Sequence, residues 1–451
     1  MQQRVYLENR LAVLLAAATP PLHSREGRPM SAMTLPDDSL QHLFEWIEHS
    51  ERLVDHDSLN LYAGTNRQSP AVRRATASTL NARPSLGNPG DKYETGLAYS
   101  DRIEEWVERH LCALFGAHRV EYRVLSGSLA NLYAYLATTR PGDTVYAMPE
   151  HAAGHATHHQ VGAAGLLGLT VLPIPCRPGT HLIDWDTWQT QLPAVRPSLI
   201  ILGTSLPLLP VDIGRAHELA QVVGARVMYD AAHVAGLVAV GRFQRPLVEG
   251  ADLLTMSTYK TFGGPAGGLV ATRDEDLAHR LDAIAYPGLT ANFDMARIAG
   301  LAVAALELET FGEAYAEQCL RNAQQLVAEI VRLGIPVWRP DGEQATNSHL
   351  VAVEALRWGG GTRAARMAEA SQVLFSGIPL PLAPIAGDYN GIRFGVQEIT
   401  RLGMREHDMP VVARFIDLAL NAPDRGENTR REVAEFRRDF QTIHFGFAGA
   451  G

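Results

Sequence analysis

Ser257-Thr258-Tyr259-Lys260-Thr261-Phe262-Gly263-Gly264-Pro265 sets a lysine directly behind an apolar run, Leu253–Met256, and in front of a glycine-rich turn. A short apolar run bounded in this way reads as a buried strand. A lysine at its end sits where a fold can hold an amine beside an aldehyde cofactor and form a Schiff base. Ser257, Thr258 and Thr261 there offer hydroxyls for a phosphate or ring. Taken alone, such a lysine is usually a surface residue. The sequence upstream decides the matter.

Asp230 precedes Lys260 by thirty residues and ends another apolar run, in Tyr229-Asp230-Ala231-Ala232-His233. A carboxylate buried at a strand tip is unfavourable unless it meets a cation or a protonated nitrogen. A pyridinium nitrogen is one such partner, and an Asp there keeps the ring an electron sink. By itself Asp230 would read as a helix cap. Earlier still comes a histidine-rich turn, His151-Ala152-Ala153-Gly154-His155-Ala156-Thr157-His158-His159. His155 and His159 have helical spacing, but no Glu follows His155 and no third ligand is evident, so no metal site is expected. Before it, Ser126-Gly127-Ser128-Leu129-Ala130-Asn131 is a small-residue turn opening a helix, whose backbone N–H groups suit a phosphate. Phosphate cradle, histidine, aspartate and lysine in that order are hard to obtain by accident.

Short apolar runs near Tyr122–Leu125, Thr144–Met148, Thr170–Pro173, Leu199–Gly203, Arg226–Tyr229 and Leu253–Met256 alternate with helical segments. This spacing predicts an α/β chain with a mostly parallel sheet covered on both faces. Such sheets bind ligands beyond the carboxyl ends of their strands, where the four polar sets stand. Helices are predicted over Leu40–Leu53, with Ser39 as N-cap, and over Asp101–Phe115, with His110 at the core or its boundary. A long helix over Met295–Leu333 leads to strands near Pro336–Trp338, His349–Val353 and Ile392–Gly395. The expected division is an N-terminal extension (1–38), a helix and active-site loop segment (39–96), a large domain (97–294), a connecting helix (295–334) and a smaller C-terminal α/β domain (335–451). Leu11–Ala18, behind Arg4 and Arg10, faintly resembles the apolar part of a signal peptide. A short appended helix, or translated sequence upstream of a start at Met30 or Met33, is the better reading.

The chain has 451 residues, 46% apolar and 20% charged, with a net charge of −9. The length suggests two or three domains. The charge argues against nucleic acid, whose binding needs a basic face. No run reaches the ~18 apolar residues of a membrane span. Neither partner is therefore expected. Cys112, Cys176 and Cys319 are too few and scattered for a disulfide framework or a zinc site. Cys112 and Cys176 read as inert packing residues, and the usage fits a reducing, cytoplasmic compartment.

Together these segments resemble the serine hydroxymethyltransferase family, within the aspartate-aminotransferase-like (type I) fold of pyridoxal-phosphate (PLP) enzymes. The similarity runs from about Leu40 to Leu420 and is strongest at Ser126–Asn131, Gly154–His158, Asp230–Val238, Ser257–Gly268 and Gly391–Val396. The resemblance implies a large domain with a seven-stranded type of sheet. It implies PLP held covalently by Lys260, with Asp230 at the pyridine nitrogen and His155 stacked on the ring. Gly127 and Ser128 would hold the phosphate, with Ser257 also cofactor-binding, and Ser205 and His233 would contact the ring oxygen and its surroundings. Arg393 matches the arginine that grips the substrate carboxylate, a task suited to a planar, bidentate guanidinium. A homodimer whose sites borrow residues from the neighbouring chain is also implied.

The chain departs from the family at definite places. Where the family has Tyr-Ala-Glu-Gly-Tyr-Pro-Gly, this sequence has Pro84 for the first Tyr and Leu86 for the catalytic Glu that serves folate-dependent transfer. Tyr93-Glu94 stands for a downstream pair of tyrosines, so Glu94 is a candidate for the missing carboxylate. Tyr259 replaces a His, Ala266 an Arg, and Gly64 a serine near the substrate carboxylate. These departures count against tetrahydrofolate. The expected activity is to cleave or form the Cα–Cβ bond of a β-hydroxy-α-amino acid of serine or threonine type, through a glycine-like quinonoid, with an aldehyde as second partner. A hydroxymethyltransferase, a folate-independent threonine aldolase or transaldolase, and a 2-methylserine hydroxymethyltransferase all fit. Lys260, His155, Asp230, Tyr259 and Glu94 are the expected catalytic residues, with Tyr93 a further proton-transfer candidate. The readings from other classes are an aminotransferase and a PLP-binding protein without catalysis.

Overall fold

A computed structural model describes residues 40–449, so Ser39 and the Leu11–Ala18 segment lie outside the described residues. Contacts divide the chain after Leu53. The described part of the first unit is the amphipathic helix α1 (Leu40–Glu51), in which no residue is buried, with Arg52 and Leu53 after it.

The second unit holds a seven-stranded sheet. Its strands are β1 (Arg119–Glu121), β2 (Thr144–Ala147), β3 (Thr170–Pro173), β4 (Leu199–Leu202), β5 (Arg226–Asp230), β6 (Leu253–Ser257) and β7 (Gly268–Thr272). They lie in the order β1-β7-β6-β5-β4-β2-β3. β2 to β6 pair in parallel, while β7 runs antiparallel to both β6 and β1. This is the expected α/β type I architecture. Every residue of β4, β6 and β7 is buried, as strands covered on both faces must be. β3 is only partly covered and carries Pro173, which an edge strand tolerates because no neighbour needs its missing donor.

The helices that place the site have readable signals. α2 (Ala98–Phe115) stops at Gly116, whose φ of 61° is the left-handed conformation that glycine adopts cheaply. α3 (Gly127–Thr138) starts where the Ser126 hydroxyl accepts the Leu129 N–H at 3.1 Å. α4 (Met295–Arg332) has 38 residues and is capped by the Asp294 carboxylate. At 1.5 Å per residue it extends about 57 Å. Its first half, with Ile298, Leu301, Ala304 and Leu308, packs into the core of the large sheet. Its second half, with Tyr315, Cys319, Ala323, Leu326 and Ile330, packs under a smaller antiparallel sheet. That sheet is β8 (Leu350–Glu354), β9 (Ser376–Ile378) and β10 (Gly391–Gly395), in the order β8-β10-β9.

Three expectations need correction. The apolar stretch Tyr122–Leu125 lies just past the ladder of β1, because the Arg123 N–H is taken by the Glu121 carboxylate at 2.9 Å. Pro336–Trp338 makes only an isolated bridge from Val337 to Val353, since Pro336 has no N–H with which to extend a ladder. β7 was not anticipated, because the glycine-rich stretch before it masks a strand of only five residues.

Leu326 is fully buried in the second half of α4. Leu326→Ala is expected to cost about 2–5 kcal/mol, read as a lower urea midpoint with an unchanged slope.

Candidate active site

β5 carries Asp230 at its carboxyl end, where the side chain is almost wholly buried. Its Oδ1 accepts the Ala232 N–H at 2.8 Å. Oδ2 accepts from Asn131 Nδ2 and from His158 Nε2, each at 3.0 Å. Burial opposes ionisation of this carboxyl. The hydrogen bond and charge of His158, with the Ala232 N–H, outweigh burial and hold its pKa well below the usual carboxylate range. Asn131 is a junction: it also donates to Thr157 Oγ1 at 2.9 Å and accepts from Thr255 Oγ1 at 2.7 Å. Tyr135 on α3 meets His158 Nδ1 at 2.5 Å. One network therefore ties α3, the histidine turn, β5 and β6.

Within that turn His155 is solvent-exposed. Its Nδ1 accepts the Thr157 N–H at 3.2 Å, which leaves the ring proton on Nε2. His158 is the buried member, and its ring stands edge-on to His155 at 6.2 Å. The sequence pattern quoted His158 without giving it a task. Its sequence neighbours, Thr157 and His159, are polar and give no local sign of its burial.

Lys260 follows β6 and is 8% exposed. Its Nζ lies 3.1 Å from His233 Nε2, and Arg393 Nη1 lies 3.4 Å from the same nitrogen. With two cationic donors converging, Nε2 is the acceptor and the imidazole proton sits on Nδ1, which is buried without a partner among the described residues. Burial, together with the charges of Lys260 and Arg393, keeps His233 well below its ordinary pKa. Burial lowers Lys260 to about 8, opposed by Asp230 and aided by Arg393. An amine so tuned is available as a nucleophile near neutral pH.

Arg393 points from β10 into the same place. Nη1 donates to the Ser205 carbonyl at 2.5 Å and Nη2 to Ser376 Oγ at 3.3 Å, while Nε is buried with no partner. Its partners among the described residues are a carbonyl, a hydroxyl and an imidazole, and none is a carboxylate. Burial pulls this guanidinium down to about 10, and Tyr62 is the acidic neighbour that counters the shift. Lys260, Tyr259, His233, His155, Ser205 and Arg393 line one cavity of about 630 Å³, with Tyr62, Glu150, Ser376 and Tyr389. That volume is in the usual range of small-molecule sites. A second cavity of about 320 Å³, walled by residues such as Leu182, Leu208 and Trp185, holds none of the expected site residues.

Gly127, Ser128, Ser257 and Asp230 do not line the cavity itself. Gly127 nevertheless touches the end of β6, since a Cβ on it would fall 2.4 Å from Ser257 Oγ. The start of α3 is thus pressed against the strand that leads to Lys260. Thr258 and Thr261, expected to offer hydroxyls to a ligand, are committed to the backbone. Thr258 Oγ1 donates to the Pro265 carbonyl at 2.5 Å, and Thr261 Oγ1 to the His233 carbonyl at 2.9 Å. Buried hydroxyls require such partners. Glu94 accepts the Leu86 N–H at 3.0 Å, and Tyr93 is 81% exposed; neither lines the cavity. The three thiols are free, and burial pushes Cys112 and Cys176 up to about 11 and Cys319 up to about 12. Burial thus keeps these thiols in the protonated form near neutral pH. Among the described residues no helix is long and apolar enough to cross a membrane.

A buried amine near neutrality, a buried ionised carboxylate, a helix start fitted closely to β6 and a buried guanidinium whose Nε has no partner all fit pyridoxal phosphate and an amino acid. Serine hydroxymethyltransferase is the description of the family whose pattern matches residues 37–416. An alpha-methylserine aldolase from Ralstonia sp is 41% identical over 91% of this chain and 93% of its own. Another, from Variovorax paradoxus, is 46% identical over 83% and 85%. A serine hydroxymethyltransferase from Archaeoglobus fulgidus is 38% identical over 90% and 92%.

The depressed pKa of Lys260 has a sign that can be measured in the cofactor-free protein. Below about pH 8 the lysine is charged in both folded and unfolded chains, and the fold bears the cost of burying that charge. Between about 8 and 10.5 the unfolded chain holds the extra proton, so stability from this group rises with pH. Lys260→Met is therefore expected to unfold at higher urea than the parent below pH 8, by on the order of 3 kcal/mol, and to lose that advantage by pH 10.5.

Proposed function

The chain belongs to the serine hydroxymethyltransferase family, and from that premise we propose that it is a PLP-dependent aldolase that uses no tetrahydrofolate and acts on 2-methylserine. The observation that carries this reading is Arg393, a buried guanidinium without a carboxylate of its own, facing the cavity that holds Lys260. An α-amino acid brings that carboxylate. Leu86, standing where the family has the glutamate that serves folate-dependent transfer, supports folate independence. The two alpha-methylserine aldolases among the relatives support an α-methyl substrate.

In the proposed reaction the Cα–Cβ bond of 2-methylserine breaks. The β-hydroxyl loses its proton as the C=O of formaldehyde forms, the bonding pair stays on Cα, and Cα takes up a proton to give alanine. When bound, PLP supplies the electron sink for that pair. Lys260 would hold the cofactor and exchange the proton at Cα. Asp230 would hold a proton on the ring nitrogen, and His155 would lie against the ring. Gly127, Ser128 and Ser257 would hold the phosphate, and Ser205 and His233 would surround the ring hydroxyl. Arg393 would bind the substrate carboxylate through parallel N–H···O bonds and so orient the bond to be broken. Tyr259 and His155 are the cavity groups proposed to handle the β-hydroxyl proton. In the proposed homodimer Glu94 and Tyr93 would reach the site of the neighbouring chain. Free thiols support a reducing, cytoplasmic setting.

Holoenzyme given 2-methylserine without folate is expected to release formaldehyde and alanine in equal amounts. Serine and threonine, with and without tetrahydrofolate, are the comparisons. No aldehyde from any of them defeats the proposal, and a keto acid in its place marks an aminotransferase. Arg393→Ala is expected to lower kcat/KM by about 100- to 10,000-fold, the loss of two hydrogen bonds to a charge.

A further inference from the structure

Tyr62 lines the cavity and has no task in the reaction proposed above. Its backbone is fixed on both sides: its N–H donates to Asn60 Oδ1 at 3.0 Å, and its carbonyl accepts from Gln397 Nε2 at 2.8 Å. One residue earlier, the Leu61 carbonyl accepts the Gly395 N–H at 2.8 Å, which lays this segment along the end of β10, two residues past Arg393. The approach is close, because a Cβ on Gly395 would come within 2.8 Å of the Ala63 Cα. Tyr62 is thus held in register with Arg393, and its ring remains 38% exposed in the cavity. Among the described residues its hydroxyl makes no hydrogen bond.

The phenol occupies its place only because residue 64 is a glycine. A Cβ on Gly64 would fall 2.8 Å from Tyr62 Cε1, 3.0 Å from Cζ and 3.1 Å from the hydroxyl oxygen. Contacts this short force the ring to move. No positive φ is recorded at Gly64, so space rather than backbone conformation excludes a side chain there. A carboxylate has lone pairs to spare after a guanidinium has taken two of them.

We propose that Tyr62 is a second donor to the substrate carboxylate, beside Arg393, and that Gly64 is the residue that lets its phenol reach. This rests on the α-amino acid reading above and adds a determinant of substrate binding to it. Replacing the hydroxyl by hydrogen leaves one carboxylate lone pair without its donor while the ring still fills its space.

The test is the apparent Kd of alanine and of alaninamide, read from the cofactor absorbance of the holoenzyme. Tyr62→Phe is expected to weaken alanine about tenfold or more, the value of a hydrogen bond to a charged group, and to leave alaninamide unchanged. Equal weakening of both ligands, or of neither, overturns the proposal. Gly64→Ala is expected to weaken alanine in the parent but to cost nothing further in a Tyr62→Ala background, where there is no ring to displace. An equal cost in both backgrounds overturns the assignment of Gly64. Holoenzyme that responds to no α-amino acid refutes the functional reading and this one with it; a response that Tyr62→Phe retains in full refutes this one alone.

Discussion

The buried carboxylate of Asp230 is the constraint from which the rest of the site takes its positions. An ionised group sealed at a strand end survives only if its lone pairs are used, and here three donors from three parts of the chain use them. Asn131 brings α3, His158 brings the turn after β2, and Ala232 brings the chain just beyond β5. Because Asn131 also serves Thr157 and Thr255, removing one partner loosens two others. The network does more than stabilise. It fixes where α3 begins and which face of the histidine turn looks into the cavity.

On the opposite side lies an excess of positive charge. Lys260 and Arg393 both direct N–H groups at His233 Nε2; burial lowers the pKa of each, and the Arg393 charge lowers Lys260 further. Such an arrangement is costly in an empty site and favourable once an anion enters. Negative charge from Asp230 and positive charge from Arg393 act on the one amine between them, and burial sets the balance near neutrality.

The fold was legible because fully buried strands such as β4 write themselves as unbroken apolar runs, and because Asp230 and Lys260 stand at or just past the carboxyl ends of such strands. Lys260 and Asp230 could be picked out for that reason, whereas Arg393, in the middle of β10, was legible only through the family resemblance. Partnerships across the chain were not legible. Nothing local in Asn131, His158 or Tyr62 reveals that each sits beside a group far away in sequence. The arginine missed at Ala266 illustrates this: a Cβ on the neighbouring Gly267 would fall 2.4 Å from Nη1 of Arg297, a guanidinium that enters from α4. Thr258 and Thr261 erred the other way, since a hydroxyl near a site looks useful until its backbone acceptor is seen.

α4 gives these local arrangements a common rule. Midway along it, Tyr315 accepts a hydrogen bond from Asn66 Nδ2 at 2.9 Å and donates to the Gln397 carbonyl at 3.0 Å, and the same Asn66 nitrogen donates to the Lys260 carbonyl at 3.0 Å. The loop bearing the amine and the chain leaving the arginine's strand are therefore pinned to one hydroxyl. Tyr315 stands where the helix passes from one core to the other. The span between Lys260 and Arg393 is thus gauged by a strut, the long helix, rather than by either strand alone.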